Sequence, residues 1–271
     1  MLRLLLTSFL LVIFLAQPAF ARIDIVPRKI VMDPRDRSAE LTVLNLMGQP
    51  GTYRVDIVTY QQNLDGTYTT LETPLNPAFN PDQAVRFSPR QFSLPVQGRQ
   101  KIRLSLRKPA NLPEGEYRFH VQVMRLADAR PTQSVEPGQG ARLSVQMNMG
   151  VTIPVIVRHG GVEQAAAKIS NPRLVTTNTE SERPELQMTI TRQGNTSTIG
   201  SLEAFWVPAS GEPKSISYID NMNIFTEINQ RQVALPLNEL PRGSGQILVR
   251  YIDNSKTASD GRIIDEIAIG M

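Results

Sequence analysis

The feature that most constrains this chain is a run in which every second residue is apolar. Leu143, Val145, Met147, Met149, Val151, Ile153, Val155 and Val157 hold that spacing without a break. A period of two belongs to an extended strand, whose side chains point alternately to opposite faces. At about 3.3 Å per residue the run would stretch roughly 50 Å, longer than a strand in a globular domain normally reaches. The pattern therefore predicts a strand that outruns its own sheet and leaves part of its apolar row free to pair elsewhere. A strand that bends from one sheet into the next is the competing reading. Pro154 favours an edge position, because proline cannot donate to a ladder on both sides.

Other segments carry the same period. Ala39, Leu41 and Val43 alternate with polar neighbours up to Asn45, and Tyr53, Val55 and Ile57 alternate with Arg54 and Asp56. Asp65-Gly66 between two extended pieces predicts a hairpin. Residues 73–82 are rich in Pro and Asn and read as a loop. Beyond it, Val85, Phe87, Phe92 and Leu94 flank Ser88-Pro89-Arg90. Ile102, Leu104 and Leu106 then oppose Lys101, Arg103, Ser105 and Arg107, which predicts one face on a core and one in water. Tyr117, Phe119, Val121 and Val123 repeat the pattern and put His120 on the polar face. Seven or so short strands at this spacing fit an immunoglobulin-like sandwich. After His159-Gly160-Gly161 the alternation weakens, but 186–190, 202–207, 232–237, 246–252 and 263–269 still read as strands of a second, smaller β domain. The division expected is 1–21 a cleaved leader, 22–158 the first domain and 159–271 the second, joined by a short link that fixes their angle. The fold class is all-β, two immunoglobulin-like β-sandwich domains.

The leader is read from Arg3, the apolar run from Leu4 to Ala16, and Ala19-Phe20-Ala21, which suits signal-peptidase cleavage after Ala21. The apolar run is too short to span a bilayer comfortably, so no membrane insertion is expected after cleavage. An exported chain without any Cys has no disulfide, thiol nucleophile or Cys-based metal site, and a Gram-negative periplasm suits it. The 20 Pro residues argue for strands and turns over long helices. A formal charge of +4 is too diffuse to indicate nucleic acid.

Catalytic constellations are missing from the pattern. Of the two histidines, His120 reads as a surface residue and His159 as part of the link, and neither has a partner at ligand spacing. Asp33, Asp36 and Glu40 bracket Arg35 and Arg37 as an internally paired loop. Gly138-Gln139-Gly140 does not make a phosphate loop, and Ser88 and Ser201 lack a nucleophile elbow. No enzyme, metal or cofactor is expected.

Four stretches, in order, resemble the PapD-like pilus-assembly chaperones. They are Ala39 to Asn45; Phe87-Ser88-Pro89-Arg90 with Leu94, Gln100 and Arg103; Leu112 to Phe119; and Val155-Ile156-Val157-Arg158. The resemblance spans Ile23 to Arg158 and implies a PapD-like arrangement of the two sandwiches. It further implies a periplasmic protein that inserts an alternating strand into the incomplete sandwich of a pilin-like subunit and delivers it to an outer-membrane usher. Carried across residue by residue, the donor positions fall on Leu143, Val145, Met147, Met149 and Val151. Adaptable Met suits grooves of differing shape. The family's interdomain ion pair falls on Glu116 and Arg158. Its first-strand cation falls on Lys29, with Arg28 adjacent, but its last-strand Lys falls on Pro154, so Arg103 or Arg107 becomes a candidate to share the anchoring of a subunit's terminal carboxylate. Self-association through the edge strand is a further expected contact. Two other classes stay open. One is a structural or adhesive sandwich component of a fimbria. The other is a glycan-binding module using Trp206 and Tyr218 as a platform.

Overall fold

The computed structural model describes residues 22–127, 148–161, 163–176, 183–255 and 261–271. The strands run in the order β1 (Ile23–Val26), β2 (Ile30–Met32), β3 (Ser38–Asn45), β4 (Gly51–Gln62), β5 (Tyr68–Leu71), β6 (Val85–Ser88), β7 (Gln91–Leu94), β8 (Arg99–Leu106), β9 (Gly115–Arg125) and β10 (Met149–His159). They form one sheet in the order β1-β3-β8-β6 and another in the order β2-β10-β9-β4-β5, with β7 also on β4. The loop expected over 73–82 ends in a single helical turn, α1 (Pro81–Ala84), which Asn80 caps by accepting the Asp82 N–H at 3.0 Å.

The two sheets close on the faces that the alternation marked. In β8, Ile102, Leu104 and Leu106 are buried and the residues between them are exposed. From β9 and β10 come Phe119, Val121, Val123, Ile153, Val155 and Val157, all within the same core. Asn45, wholly buried at the end of β3, donates to Pro95 O at 2.9 Å and Gln49 O at 3.0 Å, tying two loops together. Tyr117 donates to Pro113 O at 2.8 Å and pins the entry to β9.

The second sandwich contains β11 (Ala166–Val175), β12 (Glu185–Gln193), β13 (Thr198–Pro208), β14 (Lys214–Ile224), β15 (Gln230–Pro236), β16 (Gly245–Asp253) and β17 (Ile263–Gly270). Its sheets run β11-β12-β15 and β14-β13-β16-β17. The expected all-β architecture of two sandwiches is the one observed. The sequence pattern missed β11 and β14, whose pairings with β12 and β13 are interrupted by register shifts. Trp206 lies in the second core at 9% exposure whereas Tyr218 is 58% exposed, so the two do not make a platform. His159 closes β10 and is not a link residue.

The side-chain alternation of β8 and β9 sets the first core. Phe119→Ala is therefore expected to lower unfolding free energy by about 3–5 kcal/mol. Lys101→Ala, on the exposed face and only 3.8 Å from an exposed Glu40, should change it by less than about 0.5 kcal/mol. Urea denaturation of the two variants checks both values.

Candidate functional site

The sandwich is open along one side. β10 pairs antiparallel with β9 from Met149 to His159. On its other flank it pairs with β2, in parallel, only at Val155, Ile156 and Val157. Among the described residues, Met149 to Pro154 thus have no strand on that flank. Among the described residues β1 ends the facing sheet and pairs only with β3, so no described strand lies on its outer flank either. Ile23, Asp24 and Ile25 of β1 and Val151 to Pro154 of β10 form two walls of a cleft of about 680 Å³. Pro154 stands at the last position before β2 takes over, where a missing N–H is tolerated because one flank is unpaired.

Of the expected donor positions, Leu143, Val145 and Met147 lie outside the described residues. Met149 begins β10 with 43% of its surface exposed, and Val151 packs against the first core. Within the described part of the row, Val151 and the residues after it are anchored on the core and Met149 is exposed.

Charge lines the cleft. Arg22, Arg28, Lys29 and Arg231 border it. Lys29 lies between β1 and β2 and donates to Asn254 O of the second sandwich. Burial pulls its ammonium below the ordinary lysine range, while Asp220 and Asp253 act in the opposite sense. Arg28 is exposed and lies 3.7 Å from Asp24. Arg103 and Arg107 belong to β8 and its outflow in the facing sheet and do not line the cleft, which removes them as anchoring candidates. The cation that does come in from elsewhere is Arg231, on β15 of the second sandwich, a position with no signal in the linear sequence.

The back wall is aromatic. His120, Tyr60 and Tyr68 meet edge to face, with Tyr60 and His120 centroids 5.0 Å apart at 77°. His120 is 4% exposed, not on the surface as its place in the alternation implied. The polar face of β9 is covered by these tyrosines and by the second sandwich. Arg118 donates to His120 Nε2 at 2.9 Å, so that nitrogen keeps its lone pair and the ring is neutral. Burial first, and the Arg118 charge second, push the His120 pKa down to about 3.

Behind this wall the sandwiches are fastened together. Arg118 pairs with Glu227 and lies over the Phe225 ring at 4.0 Å. The Gln62 side chain donates to Asn223 O at 2.9 Å and accepts the Phe225 N–H at 3.0 Å. At the tip of the β4–β5 hairpin, Leu64 O accepts from Gln232 N at 2.7 Å. Arg158 Nε lies 3.5 Å from Glu116 Oε2, and the same carboxylate accepts the Ser197 N–H at 3.2 Å from across the interface. Ile156, Ile199 and Phe225 bury a small apolar contact between them. The expected pair of Glu116 and Arg158 joins the neighbouring strands β9 and β10 of the first sandwich, and it is Glu116 that also reaches Ser197 of the second.

Among the described residues no three His, Asp or Glu gather as a metal site. No described helix is long and apolar enough to cross a membrane. The geometry defines a two-sandwich protein with an open strand flank facing a cationic interdomain cleft.

No family model matches the chain, and no curated protein matches it. Among solved structures, it is similar to the CsuC–CsuE chaperone–tip adhesion subunit complex of the chaperone-usher Csu pili of Acinetobacter baumannii. That match has 13% identity, a TM-score of 0.46, and covers 92% of this chain and 98% of that one. It is also similar to the E. coli chaperone DraB, at 14% identity and a TM-score of 0.46, covering 92% and 96%. The Salmonella enterica SafA pilin–SafB chaperone complex gives 14% identity and a TM-score of 0.43, covering 94% and 99%.

Arg118 is 2% exposed and Glu227 14%, so removing one partner leaves a buried charge. Arg118→Ala is expected to cost about 3–5 kcal/mol in chemical denaturation and to loosen the interdomain angle in small-angle scattering. His120 gives a pH dependence. Its unfolded pKa is near 6.5 and its folded value about 3, so the unfolded state binds the extra proton between those values and stability falls as pH drops through that window. The expected loss is about 1 kcal/mol between pH 6 and pH 5. Denaturation curves at the two pH values should show this slope in the parent and lose it in His120→Gln.

Proposed function

We propose that the protein is a periplasmic chaperone of the PapD-like type, which binds and caps pilin-like subunits by donor-strand complementation and hands them to an outer-membrane usher. The observation that carries this reading is the free flank of β10 from Met149 to Pro154, set across a cleft from the free flank of β1. Two unpaired edges facing one gap offer backbone N–H and C=O groups to a visiting strand on both sides. The apolar row supplies the side chains: Met149, with Leu143, Val145 and Met147 before it, fills pockets in the subunit, and each well-buried residue contributes about 1.5–3 kcal/mol. Val151 and the residues after it keep the donor rooted in the first core. The division at 158/159 places the donor in the first domain, with the second closing the far side of the cleft. Lys29, with Arg28 beside it, supplies positive charge for the subunit's terminus, and Glu116 with Arg158 holds the domains for it.

The test is capture. The chain is expressed in a periplasm together with the small secreted products of its neighbouring genes, beside variants Met147→Asp and Met149→Asp. A pilin-like subunit should co-purify with the parent and fall at least ten-fold with either aspartate, since a buried charge forfeits more than the roughly 1.4 kcal/mol that a factor of ten requires. Equal recovery with parent and variants would make the long strand a purely structural element.

A further inference from the structure

The formal charge of +4 hides an imbalance between the two halves of the chain. Residues 22–158 carry 18 Lys or Arg against 12 Asp or Glu, whereas residues 159–271 carry 10 against 13. Part of the excess gathers on the outward side of the β1-β3-β8-β6 sheet. The alternation of β8 turns Arg99, Lys101 and Arg103 away from the core, Arg107 follows one step past the strand, and all four are exposed. β6 adds the exposed Arg86, whose partner in register is Ser105. Residues two apart on a strand stand about 7 Å from each other, within a Debye length of about 8 Å at physiological salt, so the row acts as one field. Only Asp24 and Glu40 oppose it among the outward residues of these four strands. Asp24 lies 3.7 Å from both Arg22 and Arg28, and Glu40, opposite Arg103 in register, lies 3.8 Å from Lys101. Among the described residues, no carboxylate comes within 4 Å of Arg86, Arg99, Arg103 or Arg107.

The makeup of the face decides which anion it fits. Its other outward residues include Ser38, Thr42, Leu44, Ser88 and Ser105, with no aromatic side chain among them. Protein interfaces centre on aromatic or Arg anchors seated in packed pockets, and none of these five cations lines the larger cavities. A bilayer surface asks instead for several cations spread over one plane. Val26, in one row with Thr42 and Lys101, is 52% exposed, and Val96, in the turn into β8, is 46% exposed. Apolar side chains beside cations suit the headgroup layer of a membrane. We propose that this face is a docking surface for an anionic lipid bilayer, on which the protein lies by Arg86, Arg99, Lys101, Arg103 and Arg107 without inserting a segment. The face looks away from the β10 sheet, so a bilayer held there leaves the open flank of β10 unoccupied. The inference does not rest on the strand-docking reading.

Co-sedimentation of the protein with lipid vesicles tests it. Vesicles of equimolar phosphatidylglycerol and phosphatidylcholine should carry the protein down at low salt and release it as salt rises. Vesicles of phosphatidylcholine alone should leave it in solution. Arg103→Gln should weaken binding about five-fold, and Lys101→Gln combined with Arg103→Gln about 25-fold, as the contribution of one cation near such a surface implies. Arg103→Lys should bind like the parent, because a charged plane reads charge and not the planar fork of Arg. Lys214→Gln removes an exposed charge from the second sandwich and should change binding by less than about two-fold. Thermal melting checks that each variant is folded. Equal binding to the two kinds of vesicle, or equal loss in Lys214→Gln and Arg103→Gln, overturns the docking face. Polyglutamate that binds as tightly as the anionic vesicles, with the same dependence on Lys101 and Arg103, would make this a face for acidic proteins and overturn the lipid assignment.

Discussion

Three residues of β2, Ile30 to Met32, pair with Val155 to Val157 of β10, and this short parallel ladder decides where the first sandwich closes and where it stays open. The chain enters in the facing sheet as β1, turns through Pro27 to Lys29, and crosses to the β10 sheet. A β2 three times as long would cover the outer flank of β10 from Met149 to Val157. Its brevity leaves the outer flank of Met149 to Pro154 without a strand among the described residues, and the crossing puts Lys29 at the mouth of the gap. Backbone topology thus makes the cleft, and side chains only furnish it.

The second sandwich matters because it turns that gap into a walled site. A protein in which only the Gly160-Gly161 link joined the halves would leave their angle to drift. Here the interface is held by Gln62, Arg118 and Glu116, each buried and each with partners on the other side. Such polar contacts add little net stability for their number, but they are directional, and a wrong angle leaves several of them unsatisfied. They therefore act as an angular lock, which a purely apolar interface of three side chains, Ile156, Ile199 and Phe225, would not be.

How much of this the sequence made legible depended on whether a residue's environment was local. The alternation of Ile102, Leu104 and Leu106 found both the strand and its buried face, because one face met a core within the same sandwich. The same rule failed at His120. Its position on the polar face of β9 was read correctly, but that face is roofed by Tyr60, Tyr68 and a second sandwich, which no short-range pattern reports. β14 escaped because its bulges break the period. Glu116 and Arg158 were named through a resemblance, whereas Arg231, on β15, and Glu227, in the turn before it, belong to the second half and meet the first sandwich only through docking.

The β4–β5 hairpin carries one more consequence, in time and not in space. Gln62 and Asn223 are joined across 161 positions of chain, and chains are made from the amino terminus, with early domains folding as they emerge. A first sandwich that folds ahead of the second would complete its core while its polar fasteners still lack partners. Its open strand flank would then exist for a while without the far wall of the cleft. Whatever the finished cleft selects by geometry, the half-made protein meets with an edge that selects far less.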